Sequence, residues 1–229
     1  MSIEAEKSDY IEFRIKRRTA SWLATLAAAL LSLVIYLLIR EPVPVSAPDE
    51  IPTALPAISV LQGYNTPSRT MFSAYLFETE ESNRFDKLRN FLSSEGVEGV
   101  VPPFELLRQG TDWLMVEEPP FAMPPESKWP SMVRTLQAIR DEVVPVVGPV
   151  HVLSGWRTPE YNRKAGGSRR SKHMHFCGVD LIPQNPTSRK KLVSRLRKMH
   201  GKAGRDWNMG LGIYSGIRFH IDTCGFRRW

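Results

Sequence analysis

Ser171-Lys172-His173-Met174-His175-Phe176-Cys177-Gly178-Val179-Asp180, taken together with Phe219-His220-Ile221-Asp222, is the stretch on which the reading of this chain turns. His173, Asp180 and His220 supply two imidazoles and one carboxylate, a ligand set for a catalytic zinc ion that leaves a fourth position open to water. Asp222 lies two residues beyond His220, so on a strand both side chains leave the same face. That position suits a carboxylate that orients a ligand or a water, or one that accepts a proton. A His seven residues ahead of an Asp is a weak signal as a bare spacing, and its neighbours must strengthen it.

Upstream, Val150 to Leu153 reads as a short buried strand that delivers Ser154-Gly155-Trp156-Arg157-Thr158-Pro159 at its end. Loops at strand ends often carry function, and the planar guanidinium of Arg157 suits a peptide carboxylate or a developing oxyanion. Downstream, Leu211 to Tyr214 and Ile217 to Asp222 read as two strands joined by a tight turn at Ser215-Gly216. Between them, Thr187 to His200 has an apolar stripe of Leu192, Val193, Leu196 and Met199 in an otherwise basic helix, whose cations read as a solvated face or as a contact with anionic wall or lipid. A second helix is expected where Met132, Leu136, Ile139 and Val143 recur at helical spacing, opened by Trp129-Pro130 and ended by Pro145. The fold class that follows is α+β, a small antiparallel sheet with packed helices carrying a zinc site and preceded by one transmembrane helix.

The stretch from Ser154 to Ile182, followed by LGIYSGIRFHIDTCGFRRW, resembles the zinc D-Ala-D-Ala carboxypeptidase family of bacterial cell-wall peptidases, whose relatives include murein endopeptidases and vancomycin-resistance dipeptidases. The resemblance rests on Ser154, Gly155, Trp156, Arg157, Tyr161, Asn162, Gly166, Gly167, Ser171, His173, Asp180, His220 and Asp222, and it covers Trp129 to Trp229. It implies that His173, Asp180 and His220 bind Zn²⁺, that Arg157 faces substrate, and that peptidoglycan peptides are the partners. Many relatives keep an acid three residues before the last zinc-binding His, but this chain has Ile217 there. Asp222 or His175 would then cover proton transfer, or activity would be weak or absent. The alternative reading is a non-catalytic zinc-containing module that binds the wall or regulates.

The first part of the chain carries different signals. Ala20 to Ile39 is a charge-free apolar run of the length that crosses a bilayer. Arg14, Lys16, Arg17 and Arg18 precede it, so residues 1–19 are expected to stay in the cytoplasm and everything after the span to be exported. A cleaved signal peptide competes, because Val45-Ser46-Ala47 has small residues suited to cleavage, although Pro48 would follow the cut. The expected location is a single pass in the cell inner membrane, through residues 20–39, with the C-terminal domain in the periplasm.

Residues 40–60 are proline-rich and read as an extended linker. Residues 61–126 offer a helix around Arg84 to Leu92 and proline-punctuated loops but no function, and residues 127–229 form the catalytic region. Two cysteines among 229 residues exclude a disulfide framework, although export permits one bond. Cys177 has the opposite strand parity to Asp180 whereas Cys224 shares that of His220, which leaves their pairing open. The net charge of +7 suits an anionic partner, and export argues against nucleic acid.

Overall fold

The computed structural model describes Trp22, residues 26–36 and residues 58–229. The chain falls into two compact units, Met1–Thr53 and Ala54–Trp229. In the first, residues 26–36 are helical and expose apolar side chains such as Leu30 and Val34. Among the described residues no helix is long and apolar enough to cross a membrane. The tail 1–19, much of the expected span 20–39 and most of the linker 40–60 lie outside the described residues.

The second unit opens with a hairpin of β1 (Ile58–Leu61) and β2 (Tyr64–Pro67), so the expected linker gives way to structure before residue 60. Its two turn residues, Gln62 and Gly63, have φ of 47° and 87°, the left-handed pair that matches the twist of a two-residue hairpin. Ser68 then caps α1 (Arg69–Glu78), its Oγ accepting the Met71 N–H at 3.2 Å. The helix expected around Arg84 is α2 (Ser82–Ser94), which buries Leu88 and Leu92. A 3₁₀ turn at Pro103–Leu107 and the short α3 (Trp113–Val116) lead to α4 (Trp129–Ala138).

Pro145 does not end that helical path. A π turn at Ile139–Val143 carries it into α5 (Val144–Val147), where Pro145 stands in the first turn. Proline has no N–H to return to the carbonyl four residues back, and its ring crowds that carbonyl. One wide turn absorbs both problems without breaking the path.

The remaining elements are β3 (Val150–Ser154), α6 (Pro159–Lys164), β4 (Gly178–Pro183), α7 (Arg189–Ala203), β5 (Gly210–Ile213), β6 (Phe219–Asp222) and β7 (Arg227–Arg228). Their sheet has the order β3-β4-β6-β5-β7 and is antiparallel except where β7 runs parallel to β5. The α+β class is therefore as expected, and the turn between β5 and β6 falls at Ser215-Gly216, with Gly216 at φ 66°.

Strand alternation gives this sheet two unlike faces. Val152, Val179, Leu181, Leu211, Phe219 and Ile221 join a single apolar core with Met132 and Leu136 of α4 and Leu192, Leu196 and Met199 of α7. Phe72, Leu88 and Leu92 belong to the same core, so residues 61–126 pack as part of the body that carries the motifs.

Candidate metal centre

On the other face the register sets Ser154 opposite Asp180, Asp180 opposite His220, and His220 opposite Gly212. The neighbouring row sets Asp222 between Gly178 and Gly210. Glycine is needed in this face because polar side chains lie across it. A Cβ on Gly178 would come within 2.8 Å of the His220 ring, and one on Gly210 within 2.2 Å of Asp222 Oδ2. A slip of one residue in either pairing would send Asp180 or His220 into the apolar core.

His173 comes from the 3₁₀ turn Lys172–His175 just ahead of β4, and Asp180 and His220 come from the centres of β4 and β6. All three are buried, and they form the group among the described residues whose ligand atoms, within 4.8 Å of one another, can hold a metal ion. Asp180 Oδ1 lies 3.4 Å from His173 Nε2 and 2.9 Å from His220 Nδ1.

The outward side of each ring is committed. His173 Nδ1–H donates to the Gly155 carbonyl at 2.8 Å, and His220 Nε2–H donates to Asp222 Oδ2 at 3.0 Å. With the outward nitrogens protonated, His173 Nε2 and His220 Nδ1 are the ring atoms left to a metal ion beside Asp180 Oδ1. Two imidazole nitrogens and one carboxylate oxygen converge, a donor set that fits zinc.

The electrostatics follow from the same contacts. Burial pushes His173 down to about 4 against the pull of Asp180, so the ring is neutral at neutral pH with its lone pair available. Burial alone would raise the Asp180 carboxyl, but His173, His220 and Arg218 hold it well below the usual carboxylate range. His220 is raised in spite of burial by the two carboxylates that flank its ring, Asp180 and Asp222. A cation facing Nδ1 satisfies the same negative charge as a proton would.

Arg157 lies where its sequence position led, beside the cluster. Its Nε–H is shared between the Gln109 carbonyl at 2.8 Å and Ser154 Oγ at 2.9 Å, and Nη2 donates to Asp180 Oδ2 at 3.2 Å. Asp222 sits behind His220. It is fully buried and accepts from Arg227 at 2.7 Å and from the Cys224 N–H at 3.0 Å, as well as from the ring. That geometry suits the orienting role of the two expected for it. His175 is not brought to the cluster: it ends the 3₁₀ turn exposed, outside the cleft described below. Ile217 packs partly buried against the core, so no carboxylate enters from that position.

Cys177 and Cys224 form a disulfide, with Cα atoms 6.3 Å apart, and no free cysteine remains among the described residues. Strand parity does not govern this pair. Cys177 precedes β4 and Cys224 follows β6, so both lie beyond the paired segments. The bond fastens the turn carrying His173 to the loop after β6.

Several residues at the site were not singled out from sequence. Gln109 accepts Ser154 Oγ–H and Arg157 Nε–H on its carbonyl and the Thr158 N–H and Oγ1–H on its side chain. Arg218 donates to Asp180 Oδ2 very closely, and its guanidinium lies 4.9 Å from the Tyr214 ring centre. Arg227 anchors Asp222. Nothing in the sequence marks Gln109, but Arg218 lies two residues before His220, and alternation alone would have aimed it at the same face. His173 and His220 line a cleft of about 620 Å³ whose walls include Arg157, Arg170, Lys172, Tyr214, Arg227 and Trp229, with Asp180 buried behind them.

The family model for peptidase M15 matches residues 105–221, just over half of the chain. The searches of curated proteins and of solved structures returned no match. The matched region contains every member of the cluster, and it begins at Glu105, so it takes in Gln109 as well. The chain belongs to the peptidase M15 family, a zinc D-Ala-D-Ala carboxypeptidase-type family of cell-wall metallopeptidases.

Proposed function

We propose that this peptidase M15 member hydrolyses peptide bonds in peptidoglycan stems or cross-links, as a D,D-carboxypeptidase or an endopeptidase. The observation that carries this reading is the convergence of His173, Asp180 and His220, two of which, His173 and His220, line an open cleft. Zinc bound there would supply Lewis acidity toward a scissile carbonyl and a nucleophile usable at neutral pH. His173 and His220 would hold it through Nε2 and Nδ1, and Asp180 through Oδ1. Asp222 keeps the His220 ring in the tautomer this requires.

Arg157 offers a fixed guanidinium fork on the cleft wall for a substrate carboxylate or a developing oxyanion. Arg170 and Lys172 add positive charge that has no ion-pair partner among the described residues, which suits peptides rich in carboxylates. In this reading the charge-free run Ala20–Ile39 anchors the chain in the inner membrane with the second unit in the periplasm. The disulfide accords with an oxidising compartment.

Zinc-loaded full-length protein incubated with isolated sacculi should release muropeptides whose analysis names the bond cut. One observation favours a second reading, a wall-binding or regulatory module without catalysis: Ile217 is apolar where many relatives carry an acid. Retention on sacculi with no released product would select that reading. For location, a reporter fused after Trp229 should be active only when exported, and recovery of a mature N-terminus near Pro48 would replace the anchor by a cleaved signal.

A further inference from the structure

The two oxygens of Asp180 lead different lives. Oδ1 faces the imidazoles, with His220 Nδ1 at 2.9 Å and His173 Nε2 at 3.4 Å. Oδ2 faces away from the rings and receives two guanidiniums, Arg157 Nη2 at 3.2 Å and Arg218 Nη2 still closer. A carboxylate has about four lone-pair sites over its two oxygens, so two donors occupy what a single oxygen offers. Both donors are charged, which makes these hydrogen bonds stronger than neutral ones.

Each guanidinium has a further contact, although Arg218 Nε is buried without a hydrogen-bond partner among the described residues. Arg157 is held at Nε by the Gln109 carbonyl and Ser154 Oγ. Arg218 lies against the Tyr214 ring, and its carbonyl accepts the Tyr214 N–H at 3.3 Å where the β5–β6 hairpin closes. The Asp180 side chain is fully buried, so no water competes for Oδ2.

We propose that Arg218 is a positioning residue that, with Arg157, confines Asp180 to a single metal-facing oxygen and so keeps a coordination position open in this site. Without the clamp Asp180 would be free to turn both oxygens toward a cation, filling the place a substrate or nucleophile needs. The clamp also sets two positive charges behind the ligand carboxylate. Positive charge there keeps the metal electron-poor, in a site that has no acid at position 217. The inference rests on the metal-site reading above and not on which bond is cut.

Cobalt(II) in place of zinc makes the test visible. Full-length protein loaded with Co²⁺ should show the intense visible absorption of a four-coordinate ion. Arg218→Ala should lose intensity toward a five-coordinate spectrum, Arg157→Ala/Arg218→Ala should lose more, and Arg218→Lys, which retains a charged donor, should recover part of it. A residue that served only stability would lower the melting temperature of the metal-free protein and leave the cobalt spectrum alone.

An unchanged spectrum in both the single and the double variant would overturn the clamp. So would loss of cobalt binding by a folded Arg218→Ala, because Arg218 would then be building the site and not limiting it. Wild-type protein that takes up no cobalt would remove the metal site and the clamp together, whereas muropeptide results bear only on the proposed activity.

Discussion

The two faces of the five-stranded sheet are built from the same strands and obey opposite rules. On one face Val179, Leu181, Phe219 and Ile221 meet helices, and what counts is volume. On the other, Asp180, His220 and Asp222 lie equally buried among glycines, and what counts is that every polar atom has its partner. Apolar packing tolerates conservative exchange, whereas a buried polar row has few substitutes for any member. The stable half of the strand pattern therefore holds the fragile half in place.

The sharpest way to break the comparison is to remove a ligand. His173→Ala, Asp180→Ala and His220→Ala should each lose most of the bound zinc and with it peptidase activity, while the opposite face keeps the protein folded. Metal analysis and circular dichroism on the same samples check both halves, and full zinc stoichiometry in all three variants would refute the site. Next in size is the disulfide. Its cysteines are 47 residues apart, which by chain entropy corresponds to about 4 kcal/mol. Cys177→Ser/Cys224→Ser should lower stability in denaturant titration by that order, through the loop after β6 more than through the core.

Asp222→Asn comes third. It keeps the shape but weakens acceptance of the His220 proton, so zinc affinity should fall about 10–100-fold with the fold intact. An Asp222→Asn protein with normal zinc affinity and turnover lowered by ~10²-fold would return Asp222 to proton transfer. Smallest is Ile221→Val, one methylene on the apolar face beside His220, with a cost of about 0.5–1.5 kcal/mol. Zinc affinity should not move, and if it fell as far as in Asp222→Asn the two faces would not be independent.

How much of this could be read from sequence follows the same division. Local patterns were legible: the 3.6-residue stripe of α7, the Ser215-Gly216 turn, and the ligand positions, whose spacing survives because β4 and β6 each contribute from their centres. Gln109 was invisible, since its work is done mostly by a backbone carbonyl that any residue has. Arg218 carries no ligand signal of its own, because an arginine beside a strand usually lies in solvent. The cysteine pairing misled because parity applies within strands, and both cysteines lie just outside them. Pro145 misled because a π turn, which has no sequence signature, let the helix pass through it.

The hydrogen bonds that hold Arg157 and the end of β3 come from residues far back in the chain. Arg108 Nη1 reaches the Val152 carbonyl across 44 positions, and Arg157 Nε reaches the Gln109 carbonyl across 48. Contacts of such span close large loops, and their entropy must be met before they return anything, so the site is expected to assemble late in folding. Zinc therefore finds its three ligands only in a nearly complete molecule. It should slow the escape from the native state while leaving the speed of arrival as it was. The metal would act as a latch on a finished chain, and a partly folded one should pass through without picking it up.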